Sequence, residues 1–148
     1  MSEVTVVLIP LIGTISSRIF ENPFLGIARG IVYGINIPLF SFEFEGNTQE
    51  TAVCLDFIRF PVSEWRELEH QEYFFPINPI DGYIDGSVYL ENAHHPADVT
   101  RVHFGKLEQG SILVTLEIEF DFTLEGLDSL GKPKYIWKTM LHIDSMAD

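Results

Sequence analysis

Basic residues are scarce in this chain. Nine Lys and Arg stand against 22 Asp and Glu among 148 residues, a formal net charge of −13. Binding to phosphate backbones relies on Lys and Arg releasing counterions, so a surface this acidic disfavours DNA, RNA and anionic membrane alike. Cysteine is scarcer still: Cys54 stands alone, which excludes an internal disulfide. It lies in the apolar run TAVCLDFIRF with no thiolate-stabilising neighbour beside it, and reads as a buried, inert thiol.

Long apolar runs are missing too. Phe24 to Phe40 comes nearest to a membrane span, with Gly26, Gly30 and Gly34 four apart as in packed transmembrane helices. Arg29 falls inside it, Asn36 and Pro38 break its end, and it is short of the roughly 20 residues a span needs. Residues 1–15 have no basic start and no small-residue cleavage site, and Pro10 and Gly13 interrupt them, so no leader is expected there. The signature motifs of dinucleotide, phosphate-loop, serine-hydrolase and zinc-protease sites are all absent. A Ser87, His94, Asp98 triad can be drawn on paper, but spacing alone gives it no weight, and no catalytic residue or cofactor is assigned.

Core material, by contrast, is plentiful. Hydrophobic residues make up 46% of the chain, with twelve Phe. A single domain of this length buries about 70% of the surface its unfolded chain exposes, so it needs no disulfide or structural metal. The charge is uneven. Residues 1–40 hold Glu3 and Glu21 against Arg18 and Arg29, leaving 20 acids and seven bases for residues 41–148.

Period-two patterning dominates. Ile112, Val114, Leu116, Ile118, Phe120, Phe122 and Leu124 alternate with polar residues, which no helix accommodates. At about 3.3 Å per residue such a strand reaches on the order of 40 Å and is expected to bend, bulge or cross between sheets. LFSFEFEG, VTRVHF and KYIWKTMLHID alternate in the same way. In AVCLDFIRF the apolar parity shifts at Phe57–Ile58, the mark of a bulge. Phe24 to Phe40 reads best as a strand with one bulky and one nearly bare face; a glycine-rich helix remains the alternative. GKLEQG predicts a hairpin and GLDSLGKPK a longer return. Asn78-Pro79, Asp81-Gly82 and Asp85-Gly86 each signal a turn. Only PVSEWRELEH looks helical, with two or three turns capped by Ser63. The expectation is one mainly β domain over residues 1–148, an antiparallel barrel or two-sheet sandwich with one short helix near Ser63–His70.

Four stretches hold candidate sites. ENAHHPADVTRVHF carries His94, His95, Asp98, Arg101 and His103. It reads as a connection running into a strand, its histidines capping backbone groups. His94, His95 and Asp98 are weak metal candidates, since adjacent histidines on an extended chain point to opposite faces. DGYIDGSVYLEN matches a calcium loop at Asp81, Asp85, Gly86 and Val88 but has Tyr83 and Asn92 at two ligand positions, so successive turns explain it better. Glu117, Glu119, Asp121 and Glu125 form an acidic ladder, with Arg101, Lys138 or His142 as candidates to offset their repulsion. Paired carboxylates can cleave glycosides when their environments differ; an unbroken acidic strand face is ordinarily the wet side of a sheet. Aromatic residues at Tyr73 to Phe75, Trp65 and Trp137 suit a core, or the lining of an apolar cavity.

These features imply a non-enzymatic, cytoplasmic module that docks a basic protein, because opposite charge speeds encounter. Small acidic immunity proteins that neutralise toxins illustrate the class by analogy only. The neutral, apolar first forty residues point to self-association and a homodimer. The alternatives are a carrier of a small apolar ligand and a metal-assisted enzyme at the histidine cluster. Nucleic acid and membrane are excluded as partners.

Overall fold

The structure is a computed structural model that describes residues 6–144, and for residues 27–29 the backbone alone. The proposed absence of a leader therefore falls partly outside the described residues. Among these, no helix is long and apolar enough to cross a membrane.

The fold is a closed barrel of seven strands with a separate two-stranded ribbon. In chain order the strands are β1 (Gly13–Asn22), β2 (Ile27–Pro38), β3 (Phe42–Phe44), β4 (Asn47–Gln49), β5 (Ala52–Ile58), β6 (Glu72–Phe74), β7 (Asp85–Leu90), β8 (Ala93–Glu108), β9 (Ser111–Phe120) and β10 (Lys134–Asp144). Around the barrel the order is β8, β7, β5, β2, β1, β10, β9 and back to β8, while β3 and β4 form the ribbon. A ring with an odd number of strands cannot alternate direction all the way round. The single parallel pairing falls between β1 and β10, where Gly13 to Ser16 match Leu141 to Asp144. All the other barrel pairs are antiparallel. β8 is long enough to share one edge between two partners, β7 at Ala93 to Pro96 and β6 at Arg101 to His103.

Binary patterning sets which side chains enter the barrel. Every second residue of β9 from Ile112 to Phe120 is buried and the intervening ones are half-exposed. Leu55, Ile58, Phe104, Leu116, Phe120, Phe122 and Leu141 are fully or almost fully enclosed in one continuous cluster. Tyr33, Phe60, Tyr73, Phe75 and Phe104 pack ring against ring toward one end of this core. At the Phe57–Ile58 parity shift the bulge is present. Two β2 residues, Tyr33 and Ile35, face Ile58 and Leu55, so three steps on β5 match two on β2. Phe57 takes a φ of 56° there. Phe24 to Phe40 is strand for most of its length, as β2, with Tyr33, Ile35, Ile37 and Leu39 buried. Ile31, of the same parity, is exposed; among the described residues, no strand beyond β1 pairs with that part of β2.

Several expectations need correction. The alternating run stops being strand at Phe120: Phe122 remains buried, but Leu124 is exposed in the return between β9 and β10. Asp85-Gly86 is no turn and opens β7. Gly86 is required there because a Cβ would collide with the Ala97 carbonyl oxygen of β8. The helix is one 3-10 turn, Trp65–Leu68. Its entry is fixed by Glu67, whose carboxylate accepts from the Ser63 N–H and hydroxyl and from the Glu64 N–H. GKLEQG is mostly β8 itself, and the hairpin narrows to Gln109-Gly110, both at positive φ. Cys54 is exposed and accepts from Asn36 Nδ2 at 3.3 Å. The inward parity of β5 belongs to Val53 and Leu55, which places the thiol outside.

Candidate functional site

The stretch from Ala93 to Phe104 is strand, not a connecting loop; only Glu91 and Asn92, at φ of 49° and 64°, make the turn from β7 to β8. Such two-residue turns with both central residues left-handed match the twist of a hairpin. β8 then sorts the candidate residues. His94 points outward, edge-on to the Tyr89 ring at 5.1 Å. His95 points inward and is 1% exposed. Its Nε2 bonds the Leu90 carbonyl at 3.0 Å, and its ring packs against Phe122 at 5.1 Å. The Nδ1 has no hydrogen-bond partner among the described residues. Capping of a backbone group thus holds for His95.

His95, Ala97 and Val99 face the interior, yet so do Val102 and Phe104. The parity changes at a bulge between Val99 and Arg101. His103, eight residues beyond His95, therefore lies on the opposite face. Neither His94 nor His103 converges with His95. Among the described residues, no group of three His, Cys, Asp or Glu side chains is placed to hold a metal ion. The calcium-like pattern is likewise stretched out, with Asp81 in a turn and Asp85, Gly86 and Val88 along β7.

What the barrel does bring together is Asp98 and the acidic ladder. Asp98 on β8 lies directly opposite Glu119 on β9. Partial burial pushes the Asp98 carboxyl above the usual range, and the negative charges of Glu119 and Asp121 push it further. Asp121 is held below its usual range, chiefly by the Thr123 hydroxyl, which donates to Oδ1 at 2.6 Å, with help from the Thr123 N–H at 2.9 Å and from Lys132. Two carboxyls on one face are thus shifted in opposite directions. Arg101 bridges Glu72 at 2.6 Å and Glu117 at 3.3 Å. Lys134 reaches Glu119 at 3.5 Å and Lys132 reaches Asp121 at 3.8 Å. Arg101 is therefore one of the offsetting cations read from the sequence. Lys138 instead lies opposite Thr115, and His142 Nδ1 contacts the Ser111 hydroxyl at 2.6 Å. Glu125 sits in the return after β9, away from the strand face.

Asp98 separates two clefts on the outside of the barrel. One, of about 440 Å3, is lined by Ile77, Asp98, Thr100, Glu117, Glu119, Lys134, Tyr135 and Ile136 among others. The other, of about 260 Å3, lies between Tyr83, Asp85, Pro96, Asp98, Asp121 and Leu124. Ile77, Ile136 and Leu124 are exposed large apolar side chains beside these acids. Ile136 carried a legible signal, an apolar residue in the outward parity of β10 between Lys134 and Lys138. Ile77 and Leu124 lie in irregular segments, where no period marks them.

Comparison with protein-family models, with curated proteins and with solved structures gives no match.

Proposed function

We propose that this barrel is a non-enzymatic binding module whose outer acidic face docks a basic protein, and that it works in the cytoplasm. One observation carries the reading: Asp98, Glu117, Glu119 and Asp121 gather around clefts flanked by exposed Ile77, Ile136 and Leu124. Apolar anchors surrounded by charge of one sign suit a partner that offers Lys or Arg around an apolar tip. Three cations already sit on this face; Lys132 and Lys134 are largely exposed in their ion pairs, and such pairs exchange readily for others, whereas Arg101 is more sheltered between Glu72 and Glu117. A single exposed thiol with no disulfide suits a reducing compartment.

The test is calorimetric titration with an amphipathic Lys/Leu peptide. Binding is expected to weaken as salt rises and to fall by about tenfold in Glu119→Gln combined with Ile136→Ser, whereas a matched Glu/Leu peptide stays unbound. Equal binding of both peptides, or no loss in the double variant, sinks the reading.

A small-ligand carrier has one observation in its favour: His95 Nδ1 and Trp137 Nε1 are buried inside the barrel without hydrogen-bond partners among the described residues. Against it, the inward positions of β9 and β8 are occupied by enclosed side chains. Native mass spectrometry decides, because a carrier purifies with a bound small molecule. The metal-assisted reading gains nothing from the way β8 divides its histidines.

A further inference from the structure

The β1–β2 hairpin is an arm. β1 pairs with β10 only as far as Ser16, and β2 pairs with β5 only from Tyr33 onward. Between those points the two strands pair with each other alone, among the described residues, from Ser17 to Val32. The arm ends in the 3-10 turn Pro23–Leu25, where Phe24 is 97% exposed and Leu25 73%. Ile19 on its flank is also exposed. Arg18 at its base lies over the Phe57 ring at 5.0 Å and the Phe20 ring at 5.6 Å, which ties the arm to β5. Within residues 17–32, Arg18 and Arg29 face a single acid, Glu21, so the arm is net positive on a chain of net charge −13.

An apolar tip on a positive stalk is the chemical complement of the larger cleft, where Ile77 and Ile136 stand beside Asp98, Glu117 and Glu119. The cleft volume of about 440 Å3 is enough for both tip side chains. The arm cannot reach the cleft of its own barrel. β1 runs parallel to β10 and leaves it at Asp144, whereas the cleft lies at the other end of β10, around Lys134 and Ile136. At about 3.3 Å per residue, the tip and the cleft are roughly 45 Å apart along that strand direction.

We propose that the chain associates with itself, the Phe24–Leu25 tip of one copy seated in the Ile77–Ile136 cleft of another with the positive arm against Asp98, Glu117 and Glu119. This rests on the reading of that face as a docking surface for basic partners and names one of them. Two copies side by side and head to foot exchange both arms in a closed pair; an arm given to one neighbour and a cleft to another extends a chain.

Sedimentation velocity and mixing of two variants test it. Phe24→Asp with Leu25→Asp alters only the exposed tip. Ile136→Lys places a cation opposite Glu117 within the cleft. Wild type is expected to associate as concentration rises. Each variant alone is expected to dissociate at least about tenfold more readily, as loss of a central apolar anchor does. An equimolar mixture regains a one-to-one complex, because one copy supplies an intact cleft and the other an intact arm. Circular dichroism confirms that both variants stay folded. A wild type that remains monomeric overturns the inference, and so does a mixture that fails to recombine. Association of Ile136→Lys as strong as wild type overturns it in favour of arm-to-arm pairing. Tip-dependent binding of monomers to phosphatidylcholine vesicles overturns it in favour of a lipid surface. Titrating the Lys/Leu peptide into the Phe24→Asp, Leu25→Asp variant keeps the two readings apart: binding there without wild-type self-association removes only the arm, and no binding removes the docking face.

Discussion

At the scale of single residues, Asp98 is the group whose ionisation the fold resists. Its folded-state carboxyl titrates above the ordinary value, so the folded protein holds its proton at pH values where the unfolded chain has lost it. Stability linked to Asp98 is therefore greatest at low pH and declines as pH rises through its raised range. Asp98→Asn is expected to raise the melting temperature at pH 7, and the gain should vanish below the ordinary carboxylate range. Thermal melts at both ends of that interval check the sign. Asp121 works in reverse: its depressed carboxyl stabilises the fold above the ordinary range and loses that contribution as pH falls. Two buried aromatic side chains, Phe120 and Trp137, make a second contrast. Phe120→Ala removes an enclosed ring and should cost about 3–5 kcal/mol. Trp137→Phe deletes an N–H that has no acceptor, and relief of that penalty should offset most of the lost contact, leaving a change below about 1 kcal/mol. Urea unfolding of both variants measures the difference.

At the scale of elements, the strands were legible where one face meets the core and the other meets water. Ile112 to Phe120 is the clearest case, and the Phe57 bulge shows that even an irregularity is readable when it shifts the apolar parity. The β8 bulge between Val99 and Arg101 was not readable. Val99, Thr100, Arg101 and Val102 give no run long enough to show which residue is extra, so His95 and His103 share a parity on paper and opposite faces in the barrel. Asp85-Gly86 misled for another reason. Turn chemistry and a close crossing of two backbones both call for glycine, and only the β7–β8 packing reveals which need applies. Gly86→Ala should therefore destabilise by about 1–3 kcal/mol through overpacking. A smaller loss, about 1 kcal/mol, is expected for Gly110→Ala, where space is open and the φ of 78° alone opposes a side chain. Denaturant midpoints for the two variants separate steric crowding from backbone strain.

At the scale of the whole molecule, a mainly β fold follows from patterning, but the choice of barrel over sandwich does not. That choice depends on β10, paired with its sequence neighbour β9, also meeting β1, a pairing between segments more than a hundred residues apart that no local period encodes. The acidic cleft was half legible for the same reason. Asp98 and Glu119 were each visible as candidates, and only strand register makes them neighbours. The parallel seam also carries a kinetic consequence. Residues 14–16 pair with β2 on one edge, but the other edge of residues 13–16 has no partner until residues 141–144 exist, so a ribosome must release nearly the whole of this sequence before the cylinder can shut. Until then the nascent polypeptide displays two unzipped margins, and its refolding in vitro should be slow for its length, in the millisecond-to-second range of sheet proteins dominated by distant pairings.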